Sequence, residues 1–409
     1  MGIAWRLSRL ATSGTCRAAS SDRMRLRRDD AAFLFGLALG VVVIVAFGFV
    51  ERRAEILHLS DFSGVWAGAR AMLDGHDPYD PATWHETALR LGTQPPDTGV
   101  YGYPPWAAVA FMPLALLPLS VASWLWQLAT MALAAVALRA LLARHLSGLP
   151  IAHTLAGLTL LASQPALTAF VVGQWSFLLV AANAALLLWI DRAPARAGVA
   201  ALTMLAKPQL FLLHGLAVAW HALRRRRLSF LLVAGGAGLV LAAVAWALAP
   251  QWWSAYDTYA RPNRLADPPR SAVLAAAAFD AIGRPGIVLA YAAIVVVVVV
   301  AFRFGTEGAG LALWLVASLV AAPYSWSYDQ LLLIVPLVVV AGALARRSAR
   351  EAIVLVLAGT LFLLFGSGLL YALAIVRHRE TFTGIVPILF FVLLAAALFR
   401  ARAVAAENA

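Results

Sequence analysis

The chain has 409 residues, of which 62% are hydrophobic and 13% charged, with a formal net charge of +12 and a mean hydropathy of +0.82. A soluble domain carries about 25% charged residues, so this composition excludes a water-soluble globular fold. The arginines cluster between apolar runs, a pattern that orients membrane helices and argues against a nucleic-acid footprint.

Residues 1–30 are basic and rich in small polar residues, and read as a disordered cytoplasmic segment. Cys16 is the only cysteine, which excludes an intrachain disulfide. Ala31 to Val50 has the length of a full span, about 20 apolar residues, and no small-residue cleavage site follows it. It is therefore predicted to be a retained first helix. Arg23, Arg25, Arg27 and Arg28 precede it and place the N-terminus inside, although Arg52 and Arg53 at its far end weaken that assignment. Residues 51–119 form a first outer loop, whose apolar part, 106–119, is interrupted by Pro113 and Pro118 and lies partly inserted. Ser120 to Ala143, Ile151 to Val172 and Ser176 to Ile190 then cross inward, outward and inward.

Gly198 to Trp220 is apolar but carries Lys207 and Pro208 at its centre, and Arg224, Arg225, Arg226 and Arg227 follow it. One full crossing would put those arginines outside, along with Arg346, Arg347, Arg350, Arg400 and Arg402. A broken re-entrant hairpin keeps them all inside, and such breaks are tolerated where they line a protein cavity. Leu228 to Ala249 goes out, and 250–285 forms a second outer loop. Gly286 to Phe302, Gly308 to Ala322, Gln330 to Ala345, Ile353 to Val376 and Phe382 to Phe399 complete the set, leaving 401–409 as a cytoplasmic tail. The expectation is an all-α polytopic membrane protein: one domain over 31–400, about ten crossings, one hairpin and both termini cytoplasmic. The alternation of an outer-membrane barrel is absent.

Asp61 follows the first span in Ser60-Asp61-Phe62-Ser63-Gly64. A carboxylate there can serve as a general base, or cap the helix that follows. Asp77-Pro78-Tyr79 and Tyr103-Pro104-Pro105 read first as turn chemistry. Lys207 is the only lysine in the chain. In an apolar stretch it either faces a cavity where it meets a phosphate, or snorkels or pairs with a carboxylate. Gly173-Gln174 is a candidate for sugar hydroxyls or a helix stop. Trp252, Trp253, Tyr256 and Tyr259 suit sugar stacking or an interfacial belt. Arg261, Arg264 and Arg270 break the positive-inside trend and either bind a lipid phosphate or pair with Asp257, Asp267 or headgroups. Asp329, in Pro323-Tyr324-Ser325-Trp326-Ser327-Tyr328-Asp329, is a second candidate carboxylate or a helix cap. No phosphate loop, dinucleotide fingerprint or metal-ligand spacing is present, so no cofactor or metal is expected and the activated group must come with the substrate.

The order Asp-Phe, Gly-x-Asp-Pro-Tyr, Tyr-x-Tyr-Pro-Pro, Gly-Gln, Lys-Pro-Gln and Ser-Trp-Ser-Tyr-Asp, over about residues 60 to 335, resembles glycosyltransferase family 87. That family consists of membrane enzymes of the GT-C type and includes polyprenol-phosphate-mannose-dependent α-1,2-mannosyltransferases. The resemblance implies a GT-C-like bundle in the cell membrane and an inverting transfer, on the extracytoplasmic face, from a polyprenyl-phosphate sugar to a glycan or glycolipid acceptor. Asp61 would be the catalytic base, with Lys207, Arg261, Arg264 and Arg270 on the donor phosphate. Asp77, Tyr79, Tyr103, Gln174, Gln209, Trp326, Tyr328 and Asp329 would shape the sugar and acceptor pocket. Mannosyltransferase members carry histidines after the Ser-Trp motif, where this chain has Tyr328 and Asp329. A transporter or lipid flippase is the rival class, and a ligase-like or polymerase-like enzyme using a diphosphate-linked donor is a third reading.

Overall fold

The computed structural model describes residues 4–93, 99–377 and 379–407, and every regular element among them is helical. Residues 1–3 and 408–409, the extreme ends of the expected N-terminal segment and C-terminal tail, lie outside the described residues. In chain order the helices are α1 (Ala4–Ala46), α2 (Phe49–Glu55), α3 (Asp61–Leu73), α4 (Pro81–Arg90), α5 (Pro105–Ala115), α6 (Leu119–His145) and α7 (Pro150–Ala162). Then come α8 (Gln164–Val172), α9 (Ser176–Trp189), α10 (Pro194–Leu202), α11 (Leu212–Arg224), α12 (Leu228–Leu248), α13 (Trp252–Ala255) and α14 (Arg261–Arg264). The rest are α15 (Leu274–Ile282), α16 (Arg284–Phe304), α17 (Ala309–Val320), α18 (Ile334–Ala345), α19 (Ala349–Leu361), α20 (Ser367–Arg377) and α21 (Val386–Glu407).

Seven helical stretches are long and apolar enough to cross a bilayer unaided, or eight if the bent pair α7–α8 is one span. That pair bends by 40° at Ser163, where Pro165 removes a backbone donor in the first turn of α8. Helices α9 and α17 also run between the two ends of the bundle, although they have only 14 and 12 residues. The stretch Ser327–Ala345 forms the axis, with 94% of its apolar window buried, whereas Leu228–Leu248 has 11% buried and presents its side chains to lipid.

The interrupted segment around Lys207 is a hairpin whose two ends meet. Helix α10 gives way to two 3-10 turns, Thr203–Ala206 and Pro208–Leu210, before α11 begins. Pro208 and the non-helical Lys207 preceding it (φ −139°, ψ 66°) account for the break. At the base, His221 Nε2 and Arg227 Nη2 reach Asp191 Oδ1 at 3.1 and 3.3 Å, three residues before α10 starts. The segment therefore enters and leaves on one end of the bundle. The same end holds Arg139 against Asp30 (2.5 Å) and Arg400 against Glu351 (2.9 Å). It also holds Arg402 on the last carbonyls of α16. We call it the arginine-rich end, and the hairpin tip points away from it.

Candidate active site

At the opposite end, the chain after α2 turns into α3 with Ser60 as the cap, its Oγ accepting from Ser63 N at 3.3 Å. Asp61 is the first residue inside the helix, so its carboxylate is not used as the cap and lies exposed. Gln174 Nε2 donates to Asp61 Oδ2 at 2.7 Å. Among the described residues no hydrogen bond reaches Oδ1, which leaves that oxygen open to a proton donor.

Gly173 makes this meeting possible. It ends α8 in the left-handed region (φ 71°), and a Cβ at its position would sit 2.6 Å from Phe62 Cβ. Only glycine meets both demands, the backbone hand and the close approach. Gln174 is 1% exposed. Its amide nitrogen also lies 3.1 Å from both Tyr103 OH and Tyr328 OH. Two amide hydrogens thus face three oxygens, and the amide holds the carboxylate and both phenols in one cluster. The helix-stop reading of Gly173 is realised, and Gln174 lies beside Asp61.

Tyr103 is held by the extended 101–104 strand of chain, whose carbonyl at 103 accepts from Tyr79 OH at 2.6 Å. Burial foremost, and then the charge of Asp61, hold the Tyr103 hydroxyl well above the ordinary tyrosine range, so it stays a neutral donor. Tyr79 is itself buried with Tyr101 and Trp84. Asp77 accepts from Tyr79 N and from Gln251 Nε2, each at 2.8 Å, and so ties the first loop segment to the second. Asp77 and Tyr79 brace the cluster and do not touch Asp61.

Tyr328 carries Lys207 on its ring face, with Nζ 4.4 Å from the centroid. Lys207 Nζ lies 2.7 Å from Asp329 Oδ1, and both side chains are buried. Asp329 Oδ2 accepts from Trp326 N at 3.0 Å, so Asp329 bonds back to the N-cap residue from the third position of its turn and is not itself the N-cap. Asp61 and Lys207 thus open onto one connected cluster through Gln174 and Tyr328. Trp326 donates its indole N–H to Tyr324 OH. Gln209 is half-buried beside the Lys207 turn.

The three loop arginines part company. Arg261 is exposed and pairs with Asp257 at 2.5 Å. Arg270 is exposed and forms no ion pair among the described residues. Arg264 reaches the cluster, its guanidinium 5.6 Å from the Tyr103 ring centroid and 5.2 Å from that of Tyr324. It meets no carboxylate among the described residues, and its Nε is buried without a hydrogen-bond partner. Burial pushes the Tyr324 hydroxyl up to about 12, against the pull of Arg264. Arg264 is therefore a cation held by aromatic faces and free to receive an anion.

The placement of two residues escaped sequence reading. Glu380, just before the last span, accepts from Ser327 N at 3.1 Å and feels the charges of Asp61 and Asp329. A lone Glu in a short polar connection gives no local signal of that placement. Arg53 is 2% exposed and clamps the end of α8, donating to Phe170 O, to Ser123 O (3.1 Å) and to Ser123 Oγ (2.5 Å). Burial brings its pKa down to about 10. Arg53 is a strut beside Gly173 rather than a loop charge, so it does not bear on orientation.

The model of glycosyltransferase family 87 matches residues 101–326. No curated protein and no solved structure matches the chain.

Proposed function

Because the chain belongs to glycosyltransferase family 87, we propose that it transfers a sugar from a polyprenyl-phosphate donor to an acceptor hydroxyl, with inversion and with Asp61 as the general base. The observation that carries this reading is a carboxylate with one tethered oxygen and one open oxygen, linked through Gln174 to Tyr103, whose ring faces an arginine that has no carboxylate partner.

Asp61 Oδ1 takes the acceptor proton as the acceptor oxygen bonds to the anomeric carbon. The bond from that carbon to the donor phosphate breaks on the opposite face. Its electron pair goes to the phosphate oxygen, and the phosphodiester leaves as a phosphomonoester with one more negative charge. Arg264 meets that developing charge in a partly buried setting, where a preoriented cation stabilises the transition state more than it would in water. The Gln174 bond fixes the rotamer of Asp61, and the neutral hydroxyls of Tyr103 and Tyr328 line the space for sugar oxygens. Lys207 has its charge offset by Asp329 and acts through the Tyr328 ring. The donor sugar is mannose or another hexose or pentose, and the acceptor is a glycan or glycolipid. Gathering of arginines at the far end supports an inner-membrane orientation with the cluster on the extracytoplasmic face.

The test incubates purified protein in detergent with a panel of polyprenyl-phosphate sugars and lipid or glycan acceptors, following release of polyprenyl phosphate. Release with one donor, lost in Asp61→Asn, is the expected result. A transporter needs two compartments and cleaves nothing in detergent, so absence of cleavage with every donor overturns the proposal.

A further inference from the structure

The arginine-rich end contains a cavity of about 280 Å³ between α16, α17, α18 and α21 that the proposed transfer does not use. Arg346, Arg347 and Arg402 line it, with Phe304, Leu398 and Glu307. The Glu307 carboxylate is already taken by Arg225, with Nε to Oε1 at 3.0 Å and Nη2 to Oε2 at 2.5 Å, so it does not offset the lining arginines. Arg402 is anchored by Arg303 O and Phe304 O at 3.0 and 2.9 Å, with its guanidinium 4.6 Å from the Phe304 ring centroid. Neighbouring Arg400 pairs with Glu351. The side chains of Arg346 and Arg347 have neither an ion pair nor a hydrogen bond among the described residues, although adjacent like charges repel.

From this arrangement we infer that the cavity binds the phosphate group of an anionic membrane lipid. Planar guanidinium forks match phosphate oxygens in pairs, and basic pockets between membrane helices suit anionic head groups. A lipid source is favoured over free phosphate because an apolar ridge continues from the cavity wall. Phe304 packs edge-on against Phe399, with ring centroids 4.6 Å apart, and Phe399 is 52% exposed. An acyl chain lying against Phe399 anchors the head group beneath it, which soluble phosphate cannot do. The positive-inside tendency puts arginines at this end, but does not by itself place two with unpaired side chains in a cavity next to an exposed aromatic ring.

The test is native mass spectrometry of the full chain released from bicelles of phosphatidylcholine and phosphatidylglycerol in equal parts. Wild type is expected to retain phosphatidylglycerol preferentially. Arg346→Gln/Arg347→Gln is expected to lower that retention about 30-fold, the effect of two arginines near a membrane surface. Both side chains are exposed, so the substitutions remove no packing, and thermal unfolding in phosphatidylcholine alone checks this. Arg192→Gln/Arg196→Gln removes the same charge from exposed sites outside the cavity and is expected to leave retention unchanged. The inference is overturned by equal retention in the first variant, by an equal loss in the control, or by displacement of the lipid with equimolar inorganic phosphate.

Discussion

Lys207 Nζ and Asp329 Oδ1 lie 2.7 Å apart inside the bundle, 122 residues apart in the chain. The pair joins the tip of the re-entrant hairpin to the first turn of the axial helix. It also changes what Lys207 can do, since a lysine already neutralised by a carboxylate is a poor first partner for a phosphate.

Removing one member of this pair leaves a buried charge uncompensated, at a cost of about 3–5 kcal/mol. Lys207→Ala and Asp329→Ala are each expected to destabilise the protein by that order, read as a fall in thermal unfolding temperature in detergent. Lys207→Met/Asp329→Leu is expected to lose much less than the sum of the single variants. Additive losses would mean that the two side chains do not interact as described.

Asp61→Asn keeps the shape of the side chain and can still bond Gln174 if its amide oxygen faces Nε2. Folding should be unaffected, and transfer should fall by about 10²–10⁴-fold, the usual worth of a positioned general base. The comparison is between the rate of donor cleavage and the unfolding temperature, measured on one preparation. A variant that turns over at the wild-type rate removes Asp61 from the base role.

The three loop arginines offer an internal control. Arg264→Ala is expected to lower kcat/KM for the donor by about 10²–10³-fold, as does loss of one oriented transition-state donor. Arg261→Ala, which loses only an exposed pair with Asp257, should stay within a few-fold of wild type. Equal effects would point to general charge at the surface rather than to one phosphate contact.

Gly173→Ala tests the tether from the backbone. A left-handed non-glycine residue costs about 1–3 kcal/mol, and the added methyl would meet Phe62 Cβ at 2.6 Å. The expected result is a loss of stability together with a loss of transfer, since Gln174 shifts away from Asp61. Wild-type turnover in a destabilised variant would show that the Gln174–Asp61 bond is dispensable.

Topology is accessible by labelling with a membrane-impermeant maleimide in a Cys16→Ser background. Cysteines at Arg196 and Arg225, on either side of the hairpin, are expected to label from one side of the membrane. A cysteine at Ser254 should label from the other. Opposite labelling at the two hairpin positions would mean that the segment crosses.

Much of the architecture was legible in the chain because it depends on local properties. Apolar length dictates spanning helices in a medium without water, and Lys207-Pro208 announces a break because proline cannot continue a helix. Asp61, Gln174 and Lys207 stood out as polar groups in apolar or interfacial sequence, and the ordered motifs pointed to the family. Pairing through space was not legible. Asp61 meets Gln174 across 113 residues, Arg264 is separated from Arg261 and Arg270 only by what surrounds it, and Glu380 and Arg53 have no local mark of their placement. Composition and periodicity constrain neighbours along the chain, whereas which oxygen faces which nitrogen is fixed by how helices pack, and that packing alone decided which of the candidate residues form one site.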